Sequence, residues 1–348
     1  MKKNLLIATK LVLTATIFWW VIHKLDIPGL QVEGRGEWAL ISAKLAHLAG
    51  IVRGANVGLL LSALAMLVGT MTIGIVRWQL LLRVQGIHLG NYHATWITAS
   101  GMFFNAFLIG ATGGDVLKAW YAAEAAPLQK TRAVLSIAVD RLIGVLGLMG
   151  VASLCVLTNL PMLMTNDATR PLGYLILASI PCVAAGIALF SMRRRLTSRS
   201  WWGAVWRFVP FKKLLGHLME SYNAYGRRPR VLAAAFFLSM GVHVSIVLVA
   251  WLIGLALGVQ GASLVHYLVY CPIINAIAAI PITIGGLGLR EGAFKFFFNG
   301  LLGVPQEQCV TLSLVFYAAT LALSLACGVL FLIGKPKSFP RRRPEAGA

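Results

Sequence analysis

Six stretches of this chain, roughly residues 4–23, 57–82, 131–158, 172–191, 231–258 and 309–334, stay apolar for the length of a bilayer crossing, about 20 residues of helix. Runs like these have no polar face to offer water. In lipid they are stable as helices, because a helix satisfies its own backbone donors and acceptors. The chain therefore reads as all-α and polytopic. Only 12% of its residues are charged, about half of the ~25% usual for a soluble domain. A formal net charge of +20 would by itself point to nucleic acid. Here the cations gather in short segments beside apolar runs, the pattern of membrane sidedness, and nucleic-acid binding is not expected.

The cations orient the spans. Lys2, Lys3 and Lys10, then Arg77 and Arg83, then Lys130 and Arg132 mark cytoplasmic ends. So do Arg193, Arg194, Arg195 and Arg199, the pair Arg227 and Arg228, and the tail "KPKSFPRRR". The loops 24–56, 159–171 and 259–263 read as outside. Both termini are then cytoplasmic. Lysines ahead of an apolar run give the N-terminus the look of a signal peptide. Lys10 interrupts that run, Trp19 and Trp20 end it, and no A-x-A site follows, so an uncleaved first span is expected. Arg77, near a cytoplasmic end, is expected to snorkel.

Two apolar pieces remain, 92–127 and 263–303, and each carries a glycine-rich break. The first must begin and end inside, the second must begin and end outside, so each makes an even number of crossings. The short second limbs, 115–127 and 292–303, favour re-entrant hairpins; two complete crossings apiece, ten spans in all, satisfy the same sidedness. "NAFLIGATGGD" from Asn105 and "NAIAAIPITIGG" from Asn275 also share an order: Asn-Ala, an apolar stretch, Gly-Gly, an acid, then a lysine. With the odd span 172–191 between them, units 57–158 and 231–334 run in opposite senses. That is an inverted repeat within one transmembrane domain, 1–348, and such repeats place a transport site where broken helices meet.

Irregular backbone at membrane depth is tolerated where protein or a wet cavity satisfies it. Gly113, Gly114, Gly285, Gly286 and Gly288 are the expected hinges, with Pro281 helping to end the preceding helix. The limb after Gly288 would present free N–H groups and a positive dipole end to an anion. Six charged residues are the candidate substrate-binding set: Asp115, Lys118, Asp140, Arg141, Arg290 and Glu291. Arginine offers a planar fork for phosphate, while the acids would receive an amine or balance the arginines. Asp115 also fits an N-cap. Asp140 and Arg141 lie well inside a span, where ions are costly and face a partner or a cavity. Adjacent helical residues point about 100° apart, so these two must address different neighbours. A static ion pair docking two helices is the plain alternative to a transport role.

Other chemistry finds little purchase. "GATGGDVLKAW" lacks the GK[ST] ending of a phosphate loop, and "GLGLREG" misses dinucleotide spacing. Cys155, Cys182, Cys271, Cys309 and Cys327 show no C-x-x-C pair and read as small core hydrophobes. His243 and His266 read as hydrogen-bonded packing residues, so neither a metal nor a cofactor is expected. Phe211, Leu214, Leu215, Leu218, Tyr222 and Tyr225 form a stripe in the basic segment 192–230, suited to lying on the anionic inner leaflet. Trp38, Ile41, Leu45, Leu48 and Val52 form another, a short interfacial helix.

The order "GGDVLKAW…SIAVDRLIG", then "GGLGLREGAF", resembles the flippase-like family related to the transmembrane region of lysylphosphatidylglycerol synthases, over roughly residues 10–334. Many relatives have Glu-Arg where this chain has Asp140-Arg141. The resemblance implies a polytopic fold whose larger members flip aminoacylated phosphatidylglycerol. The soluble domain that joins aminoacyl-tRNA to lipid is not expected here, since 192–230 is short beside even a small domain of ~50 residues. The expectation is a non-enzymatic flippase for a phospholipid or polyprenyl-linked lipid with a charged headgroup, its partners being membrane lipids. A phosphatidylglycerol lysyltransferase component and a non-transporting scaffold for envelope lipid enzymes are the alternatives. No protein partner is specified.

Overall fold

A computed structural model of the chain describes residues 37–107, 113–165, 224–280 and 286–334 without interruption. It also describes 16, 19–23, 25–27, 167, 169–178, 180, 181, 184 and 283. Among the described residues the regular structure is helical and no strand occurs. The main helices are α1 (Glu37–Arg53), α2 (Val57–Val84), α3 (Asn91–Phe107), α4 (Gly113–Ala125) and α5 (Lys130–Thr158). They continue with α6 (Pro229–Ala256), α7 (Leu264–Ala278), α8 (Leu289–Phe294) and α9 (Gln306–Ile333).

Four helices are long and apolar enough to cross a membrane: Val57–Val84, Pro127–Thr158 (α5 with its leading turn), Pro229–Ala256 and Gln306–Ile333. They coincide with four of the six apolar runs, so the chain is a multi-pass membrane protein. The runs 4–23 and 172–191, and the stripe from Phe211 to Tyr222, lie partly or wholly outside the described residues, as do Pro281 and Gly285. Each broken piece holds two helical limbs. The first has α3 and α4; the second has α7, then α8 running on through a π turn, Lys295–Asn299, to Gly300–Leu302. Pro127 starts the turn ahead of α5, where its missing N–H is harmless.

The chain divides into two compact units. One comprises Met1–Thr70, Asn105–Gly113 and His243–Ala326; the other comprises Met71–Phe104, Gly114–Val242 and Cys327–Ala348. In the first, Val21, Ile22, Leu25, Ile27, Leu48 and Val310 form a core. The α1 stripe forms as a helix, with Ile41 and Leu48 packed on that core and Trp38 82% exposed. Lys44, on the same helix, donates to Ile22 O at 3.2 Å and His23 O at 2.7 Å, satisfying carbonyls at the end of a helical segment. Tyr267 and Tyr270 of α7 pack on Phe298 and Phe297, at 4.8 and 5.0 Å between ring centres. The His266 ring accepts the Ser263 N–H at 2.9 Å, capping α7.

In the second unit Trp78, Leu82, Trp96, Ile97, Ala122 and Ile137 are core residues. Trp96 packs edge-on to Tyr121 at 4.8 Å and stacks on Phe331 at 5.4 Å. Tyr225 departs from expectation. It is fully buried against Leu81, Val139 and Ile143, and its hydroxyl donates to Leu81 O at 3.2 Å. Its ring fills a protein core because the described turn at 224–226 leads straight into α6, bringing the residue back among the helices.

Candidate functional site

Charged side chains enter the second unit from three helices. Asp140 lies ten residues into α5, about 15 Å along the axis at ~1.5 Å per residue. Arg77 lies seven residues before the end of α2. Its Nε donates to Asp140 Oδ1 at 2.8 Å, and its Nη1 donates to Ser239 Oγ of α6 at 2.9 Å. Arg77 therefore does not snorkel. A buried acid and a buried hydroxyl hold the guanidinium inward, and snorkelling would leave Asp140 without its closest cation.

Lys118 reaches the same acid from α4. Its Nζ stands 4.0 Å from Asp140 Oδ2 and 4.2 Å from the centre of the Trp78 ring, a cation–π distance. Trp78 is itself fixed, its indole N–H donating to Ser136 Oγ at 3.1 Å and that hydroxyl donating to Ala133 O at 2.7 Å. One turn of α5 thus supplies the acid and the support for the ring beneath the lysine. Arg141, pointing elsewhere, pairs with Asp115 in the first turn of α4. The Arg141 side chain is 60% exposed, so this pair forms the open edge of the cluster.

Close packing makes the geometry possible. A Cβ at Gly147 of α5 would lie 2.3 Å from Ser239 Oγ and 2.6 Å from Ser239 Cβ, so glycine lets α6 bring Ser239 to Arg77. A Cβ at Gly101 of α3 would lie 3.2 Å from Gly114 O and 3.3 Å from Lys118 Cβ. Gly113 and Gly114 form the start of α4, and Gly114 is buried there.

The first unit holds the second break. Gly286 and Gly288 have φ of +74° and +85°, conformations that favour glycine. A Cβ at Gly286 would also fall 2.7 Å from Ala278 O at the end of α7. Glu291 is fully buried; one oxygen accepts the Gly288 N–H and the other accepts the Ser313 hydroxyl of α9 at 2.9 Å. The start of α8 therefore meets the chain's own carboxylate, which already complements its dipole. Arg290 turns the other way, its guanidinium 5.4 Å from the Phe316 ring centre and 5.8 Å from that of Tyr317.

Of the six predicted site residues, Asp115, Lys118, Asp140 and Arg141 come together in one unit, while Arg290 and Glu291 lie side by side in the other. Arg77, read from the sequence as snorkelling, and Ser239 and Ser313 were not among the predicted site residues. A signal existed for two of them, since a hydroxyl in a strongly apolar helix can serve a buried ion. Among the described residues no three His, Cys, Asp or Glu side chains gather as a metal site. No curated protein matches the sequence. Residues 36–328 match the family described as lysylphosphatidylglycerol synthase TM region, and with most of its length covered the chain belongs to that family.

Proposed function

We propose that the chain is a lipid flippase of a bacterial inner membrane, moving a phospholipid or polyprenyl-linked lipid with a charged headgroup. The observation that carries this reading is the buried Arg77–Asp140–Lys118 cluster, with the Arg141–Asp115 pair at its edge. Ions this deep in apolar helices are expensive unless they serve a partner, a pathway or both. At the open edge the Arg141 guanidinium can exchange its carboxylate for a lipid phosphate, one charge-assisted oxyanion contact for another. The released Asp115 carboxylate is then placed for a headgroup amine. In this reading the two glycine breaks belong to re-entrant hairpins of an inverted repeat, both termini are cytoplasmic, and Arg290 on its aromatic pair is a phosphate contact within its own unit. The chain performs no covalent chemistry, and a gradient or downstream consumption of the lipid drives movement.

The test is headgroup accessibility in reconstituted vesicles. Wild type should move labelled phosphatidylglycerol between leaflets, and Arg141→Ala, Asp140→Ala and Arg290→Ala should each slow it. Equal rates in folded variants would remove those residues from the mechanism. The family's description favours one other reading, a component of phosphatidylglycerol lysyl transfer. Loss of an aminoacyl lipid from a deletion strain would support that alternative.

A further inference from the structure

We propose that the second unit's cluster takes up its anionic ligand together with a proton, and that Lys118 is the group receiving it. The proposal rests on the flippase reading for the ligand's chemical class, a phosphate-bearing anion. Three cations, Arg77, Lys118 and Arg141, face two carboxylates, Asp115 and Asp140. Three positive charges less two negative leave one in excess. An uncompensated charge in a low-dielectric interior is costly, and such a site responds by losing the charge or gaining a counter-ion.

Lys118 alone can lose it. Arginine holds its proton, and protonating either acid would enlarge the excess. Lys118 is also the weakly held cation of the set. Arg77 has Asp140 at 2.8 Å and Ser239 at 2.9 Å. For Lys118, Asp140 Oδ2 stands 4.0 Å away, beyond hydrogen-bond range, and the other neighbour is the Trp78 ring. The charged groups around it are Arg77 from α2, Asp140 and Arg141 from α5, and Asp115 from its own helix; α3 meets its stem at the Gly101 backbone. Without a ligand the charge-balanced state, reached at mildly alkaline pH, is therefore two ion pairs and a neutral amine.

An arriving monoanion reverses the balance. It supplies the missing negative charge, and the amine binds a proton from water to become the third cation. Departure of the anion releases that proton. By reciprocity, a ligand that promotes protonation must itself bind better where protons are more available. A flippase built this way would carry an anionic headgroup with a compensating proton, which gives a proton gradient a means of driving it.

The experiment is calorimetry on the full chain in phosphatidylcholine nanodiscs. Dihexanoyl phosphatidylglycerol and inorganic phosphate are titrated separately in buffers of differing ionisation enthalpy, with dihexanoyl phosphatidylcholine as the control for partition. Wild type should take up close to one proton per anion at mildly alkaline pH, where affinity should fall about tenfold per pH unit. Lys118→Arg should bind without proton uptake; Lys118→Met should bind more weakly, also without it, and serves if the arginine does not fit. Uptake with phosphate and not with phosphatidylglycerol, lost in Lys118→Met, would identify a free ion, not a lipid, as the ligand. Wild-type binding with no proton exchanged, or equal uptake by Lys118→Met, overturns the linkage and leaves the flippase reading intact. Binding of neither anion at any pH overturns both.

Discussion

Arg77 and Asp140 stand 63 positions apart in sequence and 2.8 Å apart in space, each burying a charge that the other neutralises. The pair ties α2 to α5, and Ser239 extends the tie to α6. Removing one partner of a buried pair costs about 3–5 kcal/mol, because the survivor keeps its desolvation penalty.

The two truncations should differ. Arg77→Ala leaves Asp140 with Lys118 still 4.0 Å away. Asp140→Ala leaves the Arg77 guanidinium, which cannot shed its proton, without its acid. Chemical unfolding in mixed micelles should therefore rank Asp140→Ala below Arg77→Ala, both clearly below wild type. Arg77→Lys should also fall short, since an ammonium cannot serve Asp140 and Ser239 from one planar fork. Equal stability of all four proteins would mean that the pair holds nothing together.

Gly147 should be among the least replaceable residues of α5. Alanine there brings its methyl 2.6 Å from Ser239 Cβ and 3.1 Å from the Ser239 carbonyl carbon, and overpacking of this kind costs about 1–3 kcal/mol. Since the clash involves Cβ as well as the hydroxyl, Ser239→Ala should fail to rescue Gly147→Ala, whereas Ser239→Gly should recover part of the loss. Gly241 has nothing within 4 Å of a built Cβ. Gly241→Ala should thus be neutral or stabilising by up to about 1 kcal/mol, as helix propensity dictates. Thermal unfolding of the purified variants reads all of these.

The spans were legible because their signal is local: a run of apolar residues as long as the bilayer is thick forms a helix whatever surrounds it. The four described spans begin and end within a few residues of where hydropathy puts them. Asp140 was legible too, since an acid in the middle of such a run has no local excuse. Its partner was not. At the depth of Arg77, snorkelling and pairing are equally good destinies for a long cation, and the choice depends on an acid 63 residues away. Tyr225 failed for the same reason: a helical stripe states that one face is apolar without saying whether lipid or protein covers it. The glycine breaks were visible as composition, while the positive φ of Gly286 and Gly288 and the approach of Gly286 to the end of α7 are set by the folded chain and have no local signal.

Lys44 offers a pH-dependent test outside the spans. Burial lowers its pKa, with Asp26 opposing that shift. The unfolded chain then binds the proton more readily than the folded one, so stability rises with pH between the lowered value and the ordinary lysine range. The bonds to Ile22 O and His23 O survive deprotonation, because a neutral amine still has two N–H donors. Lys44→Met should lose this rise, and amide exchange at residues 25–27 should quicken at every pH. An identical pH profile for wild type and Lys44→Met would show that Lys44 contributes no linked proton.

Glu291 separates a scaffold role from a substrate role. Both its oxygens are engaged, one by the Gly288 N–H and one by the Ser313 hydroxyl. Glutamine can keep this arrangement: its carbonyl oxygen accepts from Gly288, and its amide nitrogen donates to Ser313, whose hydroxyl rotates to accept. Alanine leaves a buried backbone N–H and a buried hydroxyl without that acceptor, at about 1–3 kcal/mol for each group left unsatisfied. Glu291→Ala should therefore unfold well before Glu291→Gln, which should stay within about 1 kcal/mol of wild type if the bonds rather than the charge matter. In the vesicle assay Glu291→Gln should keep most of the lipid movement. A folded Glu291→Gln protein that moves no lipid would make the negative charge itself part of the transport step, and would return Glu291 from the frame of the break to the path of the headgroup.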